Sequence, residues 1–223
     1  MADPTSYRDT STLSLVLKSF LGLYCAFSLV GLWSDWLEVQ MLQRMVDGAI
    51  VAEGEADAND ERQLMIFGAA IVVYLMTAVL FLRWTYLSSR NARSLVDDKL
   101  EYSPGWAVGW FFVPIANFWK PYQVMIEIFK ASNPNMGDDW QEVSSPSVTS
   151  RWWTMWVIAI IIGRVSSRMS MRAETLDDFL ASSQVSLVVD VVSVILGIAA
   201  ISLVSSLQTW QTEKYDRISA AIV

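Results

Sequence analysis

The chain has 223 residues, 53% of them hydrophobic and 17% charged, which is too apolar for an ordinary soluble domain yet leaves enough charge for loops. Its acidic balance, 16 basic against 23 acidic residues, argues against nucleic acid as a partner, because phosphate binding needs a concentrated basic surface. Histidine is absent and cysteine occurs once, which removes His-ligated metals, Ser-His-Asp and Cys-His nucleophile systems and any internal disulfide.

Residues 1–12 read as a polar terminus, and the apolar run after them has neither a basic start nor a small-residue cleavage pattern, so it is expected to be a retained helix. That first spanning helix covers residues 13–37, with Lys18 near one end and Trp33 and Trp36 as interfacial anchors at the other. Gly22 and Ala26 form a small-xxx-small pair where a second helix could approach, and Cys25 reads as a small packing residue.

Residues 38–62 hold seven acidic and two basic residues and read as a solvated acidic connection, since the spacing of a calcium loop is missing. Residues 63–82 follow with no charge at all, the clearest spanning helix in the chain. Arg83, Arg90, Arg93 and Lys99 come next and mark a cytoplasmic loop by the positive-inside rule.

The least generic stretch is residues 105–130. Its apolar part, residues 105–118, is about 21 Å long at roughly 1.5 Å per residue, short of the roughly 30 Å hydrocarbon core. Extending it would bury Lys120. Pro114 and Pro121 predict a break at residues 117–120, with Pro121 opening a second, amphipathic helix in the interface. A broken, re-entrant helix is therefore expected, with Asn117 suited to bonding backbone carbonyls that the prolines leave unpaired. Two readings stay open: the three residues shape a turn, or the break holds an ion or ligand.

Residues 132–150 read as a loop in which Trp140 either folds back on the membrane or meets a partner. Residues 152–172 are predicted to span, although Arg164, Arg168 and Arg172 then stack along one face. After an acidic connection at 173–184, residues 185–207 form the last spanning helix, and Ser186, Asp190, Ser193, Gly197, Ala200 and Val204 make one narrow packing stripe along it. A buried ion pair between Arg164 and Asp190 is the sharpest structural expectation; the alternative has Asp190 capping a helix that starts at Val191. Residues 208–223 read as a surface helix.

The run W-F-F-V-P-I-A-N-F-W-K-P-Y, with Arg90, Asn91, Ala92 and Arg93 upstream and Trp152 and Trp153 downstream, resembles a bacterial integral-membrane family catalogued as domain of unknown function 4328, over about residues 60–212. The resemblance implies a multi-pass membrane domain and supplies no catalytic residues.

The fold class is thus an all-α integral membrane protein: a single domain with about four spanning helices, a broken re-entrant helix and an interfacial helix. With the N-terminus cytoplasmic, the inner side collects Arg8, Lys18, Arg83, Arg90, Arg93, Lys99, Lys120, Lys130, Arg151, Lys214 and Arg217, 11 of the 16 cations. The expected function is a structural or accessory protein of the bacterial cytoplasmic membrane, not an enzyme. Its expected partners are the lipid bilayer and a membrane protein or a second copy; no cofactor or metal is expected. The alternative is a small transporter, channel or lipid-handling protein using Asn117, Arg164 and Asp190.

Overall fold

A computed structural model describes residues 4–96, 100–136, 138–142 and 144–222; Lys99 of the basic run and the first residues of the polar terminus lie outside them. The elements are α1 (Ser11–Val46), α2 (Glu53–Ser94), α3 (Pro104–Gly109), α4 (Lys120–Ala131), α5 (Ser147–Arg172) and α6 (Leu176–Ile222), with short 3-10 turns at Pro4–Ser6, Ala116–Phe118 and Asp138–Glu142. There is no strand among the described residues. Three helices, α1, α2 and α6, are long and apolar enough to cross a bilayer. The expected fourth, α5, is helical but falls outside this group, because Arg164, Arg168 and Arg172 follow its apolar run too closely.

The helices outrun the apolar stretches that announced them. The acidic connection expected at 38–62 is mostly helical: α1 continues to Val46, and α2 already starts at Glu53. Glu53 and Glu55 in the first turn of α2 complement its dipole. The stop between the two helices is a Schellman turn. Gly48 takes φ 86°, its N–H donates to Met45 C=O at 3.1 Å, and Ala49 N–H donates to Arg44 C=O at 2.9 Å. At 42 residues, α2 is roughly 63 Å long at about 1.5 Å per residue, so Arg83, Arg90 and Arg93 sit on the helix and not in a loop.

The acidic connection expected at 173–184 shrinks in the same way. Thr175 and Asp178 form a capping box: Asp178 N–H donates to Thr175 Oγ1 at 3.2 Å, and the Asp178 carboxylate accepts from Thr175 N–H at 3.1 Å. α6 therefore starts at Leu176 and runs to Ile222, which makes residues 208–222 a continuation of it and not a separate surface segment.

The chain divides into two compact units, to both of which α1, α2, α5 and α6 contribute. One comprises Met1–Ser19, Thr77–Trp153 and Ala199–Val223. Its interior is rich in aromatic and large apolar side chains: Trp84, Met125, Phe129, Trp152, Leu203 and Leu207 are essentially inaccessible, and Phe81 touches the rings of Trp84, Phe111 and Trp152. Burying each such side chain is worth roughly 1.5–3 kcal/mol. Several polar side chains inside it serve the backbone, whereas the hydroxyls of Thr85, Ser88, Ser89 and Thr149 are buried without a partner among the described residues. Asn91 accepts from Arg8 N–H at 3.0 Å and donates to Arg8 C=O at 2.8 Å, which fastens the N-terminal segment to α2. Gln211 donates to Ser88 C=O at 2.9 Å and to Ser132 Oγ at 3.1 Å, while Lys214 Nζ donates to Ala131 C=O at 2.9 Å. Gln211 and Lys214, expected on or near the surface, are buried; Lys214 supplies a donor to a carbonyl left open at the end of α4, and Gln211 bridges Ser88 on α2 and Ser132.

The other unit comprises Phe20–Met76 and Thr154–Ile198. Many of its large apolar side chains point outward: Leu64, Phe67, Val72, Val188, Ile195 and Ile198 are exposed, while Leu21, Met41, Leu42, Val73 and Leu180 are buried. Ser34 and Asn59 are buried as well. Such an outside suits lipid, and the inside is held by small residues and side-chain hydrogen bonds. Gly197 lies so close to α1 that a Cβ on it would meet Cys25 Sγ at 2.3 Å, and the Cys25 thiol donates to Val194 C=O at 3.7 Å. The expected packing stripe on α6 is thus in contact at Gly197 and, through Gly31, at Asp190. Gly22 and Ala26 are exposed and no neighbour approaches Gly22, so the expected small-residue contact is carried instead by Gly31, Cys25 and Gly197.

Candidate functional site

Three of the five residues singled out in the sequence, Pro114, Asn117 and Pro121, belong to the aromatic unit. There α3 begins at Pro104 with the Ser103 hydroxyl accepting from Trp106 N–H at 3.4 Å, and it stops after six residues. The break is wider than residues 117–120: irregular backbone runs from Trp110 to Trp119. Pro114 lies in its middle. Pro114 C=O accepts from Ala116 N–H at 2.8 Å across Ile115, whose φ of 68° and ψ of −54° make a strained γ-turn. A β-branched residue in that region costs about 1–3 kcal/mol.

The backbone of the break satisfies itself, with Asn117 N–H on Val113 C=O at 3.0 Å and Phe118 N–H on Ile115 C=O at 3.0 Å. The Asn117 side-chain oxygen is buried and accepts no hydrogen bond among the described residues, whereas serving the freed carbonyls would fall to its NH2 group. Pro121 sits in the first turn of α4, as its missing N–H favours.

Lys120 is neither in the middle of a spanning helix nor open to water. Its Nζ donates to Tyr102 Oη at 3.1 Å and lies 5.0 Å from the Tyr102 ring and 5.6 Å from the Trp110 ring. Two aromatic faces thereby hold the charge that made a simple crossing unfavourable. The apolar face of α4 is not free for an interface: Val124, Met125, Ile128 and Phe129 are all buried within this unit. On the polar face, Glu127 anchors the preceding turn by accepting from the N–H groups of Glu101 and Tyr102. Burial pushes the Glu127 carboxyl above the ordinary glutamate value, partly offset by those two N–H groups.

Arg164 and Asp190 belong to the other unit. Asp190 is not a cap, because α6 is continuous through it. Its carboxyl group packs against Gly31, where a Cβ would meet Oδ2 at 3.0 Å; that buried oxygen has no hydrogen-bond partner among the described residues, and the charged group that acts on it is another acid, Asp35. The expected ion pair is thus replaced by a contact between two acids from α1 and α6, and Arg164 is exposed on α5.

Around the two acids lies a polar network that the sequence did not announce. Gln63 donates to Asp35 at 3.0 Å and to Glu38, while Arg62 Nε donates to Ser34 Oγ at 2.9 Å and its guanidinium also reaches Asn59. The available signal was an acid between Trp33 and Trp36, with Gln63 opening the apolar run of α2.

No curated protein and no solved structure matches the chain. A family model does, and it starts within the acidic stretch that the resemblance in sequence had left out. Over residues 47–209, most of its length, the chain matches the family described as Domain of unknown function (DUF4328), and it belongs to that family.

Proposed function

We propose that the protein is an accessory component of the bacterial cytoplasmic membrane that packs against another membrane protein or a second copy of itself, without catalysing a reaction. The observation that carries this reading is that the polar side chains facing one another across α1 and α2 are largely engaged with each other. Asp35 and Glu38 receive Gln63, and Arg62 bonds Ser34 and Asn59, while Asp190 Oδ2 is buried without a hydrogen-bond partner among the described residues. A polar route for a solute would need such groups turned toward water. In this reading the N-terminus is cytoplasmic, α5 is the fourth crossing, and residues 104–119 dip into the membrane and return. Trp106, Phe112, Ile115 and Trp119, all exposed, would meet lipid there.

The runner-up is a transporter, channel or lipid-handling protein, favoured by the unpartnered side-chain oxygen of Asn117 at the break. Extraction of the tagged protein from its native membrane in mild detergent separates the two. A stoichiometric membrane-protein partner, or a defined homo-oligomer, supports the accessory reading. A monomeric particle that carries only a bound small solute overturns it.

A further inference from the structure

In the aromatic unit, an open cavity of about 450 Å³ lies against the polar face of α4, within the roughly 300–1,000 Å³ typical of small-molecule sites. Its lining has an uneven chemistry. Glu101 and Glu127 bring two carboxylates, Lys130 an ammonium group, and Tyr102 and Trp140 two aromatic rings. Trp140, left in the sequence between the membrane and a partner, is instead 4% exposed, yet its indole N–H has no hydrogen-bond partner among the described residues. A buried donor left unpaired is costly, and this one sits on a ring that lines the cavity, so a small turn of the ring would bring it to an acceptor held there.

The other groups retain capacity as well. Glu127 accepts from two backbone N–H groups, which leaves lone pairs on both oxygens, and Lys130 Nζ uses one of its three donors on Gln141 C=O at 2.9 Å. Glu127 and Lys130 are three residues apart on α4 and so are neighbours on one face, roughly 5–6 Å between Cβ atoms. That spacing offers an anion site and a cation site side by side. An ammonium group would meet the carboxylates of Glu127 and Glu101; a phosphate beside it would take hydrogen bonds from Lys130 and from the Trp140 indole.

The same unit exposes Trp106, Phe112, Ile115 and Trp119 on the stretch just before α4, side chains that suit the boundary between headgroups and acyl chains. We propose that this cavity binds the headgroup of a zwitterionic aminophospholipid, with the amine on Glu101 and Glu127 and the phosphate on Lys130 and Trp140. The inference does not depend on the accessory reading, since it is measured on the purified chain alone.

The test is native mass spectrometry of the full chain in mild detergent, titrated with equal amounts of phosphatidylethanolamine and phosphatidylglycerol, which share the phosphate and differ in the amine. Phosphatidylethanolamine should be retained about tenfold better, the ratio that one charge-assisted contact supplies. Glu101→Gln, an exposed position, should shrink that preference while leaving the melting temperature unchanged. Trp140→Phe, which removes only the N–H, should weaken retention of both lipids about equally. Equal retention of the two lipids by the wild type, or a preference that survives Glu101→Gln combined with Lys130→Met, would overturn the proposal. Displacement of the lipid by an equimolar amount of soluble glycerophosphoethanolamine would overturn its assignment to a lipid and leave a soluble phosphoamine as the ligand.

Discussion

The two units are built from the same long helices yet are organised in opposite senses. In the aromatic unit Trp84, Phe129 and Leu203 are inside, and Gln211 and Lys214 enter to serve backbone carbonyls. In the other, Phe67, Val72 and Ile195 are outside, while Ser34 and the Asp35–Gln63 contact lie among the helices. α6 makes the change within a few residues, from Ile195 and Ile198 exposed to Ala200, Leu203 and Val204 buried. An apolar side chain gains nothing by leaving lipid, so in the second unit close approach and hydrogen bonding replace the hydrophobic effect that holds the first.

This contrast can be broken most readily by truncating large side chains. Phe129→Ala, at a fully buried position, should cost about 3–5 kcal/mol in unfolding experiments in detergent, whereas Phe67→Ala should change stability by about 0.5 kcal/mol or less. Comparable losses at both sites would mean that the second unit has an ordinary hydrophobic core. A smaller effect is expected from Gln211→Leu, which removes a side-chain donor from Ser88 C=O and from the buried Ser132 Oγ and should cost about 2 kcal/mol by the same assay.

Close approach in the second unit is tested at Gly197. Gly197→Val should cost about 1–2 kcal/mol through its clash with Cys25, with part of the loss recovered in a Cys25→Ala background. Gly22→Ala, with nothing near its Cβ, should be neutral or slightly stabilising. No recovery by Cys25→Ala would place the two helices differently.

The smallest effect concerns pH. Glu127 in the folded chain holds its proton above the ordinary glutamate value, so between the two values the folded state binds more protons than the unfolded one. Its contribution to stability should therefore fall as pH rises through that window. Glu127→Gln should flatten that part of a stability-against-pH curve, and an unchanged slope would contradict the assignment.

What the sequence discloses follows from how local each cause is. The uncharged run at 63–82 and Pro121 at the head of α4 are decided by neighbouring residues, and both are where the sequence places them. The extensions of α1, α2 and α6 were hidden because Glu, Gln, Lys and Arg are good helix formers that hydropathy alone reads as loop. The capping box at Thr175 and Asp178 and the turn at Gly48 were legible in principle, since both are short motifs. Asp190 is a different matter. Its position on a small-residue stripe was visible, but the choice of Asp35 over Arg164 as its neighbour depends on the rotation of two distant helices, which no local pattern encodes. Burial of α4 was equally out of reach, because an amphipathic helix looks the same whether lipid or protein covers it.

The account turns on whether the outward apolar side chains of the second unit face lipid. Spin labels on single cysteines at Phe67, Val72 and Ile195, with Leu203 as the buried reference, all in a Cys25→Ala background in bilayers, test this through collisions with oxygen and with a water-soluble relaxing agent. The account predicts high oxygen and low water-side accessibility at the three outward positions, and low accessibility to both at Leu203. Strong relaxation of Phe67 and Ile195 by the water-soluble agent would contradict it.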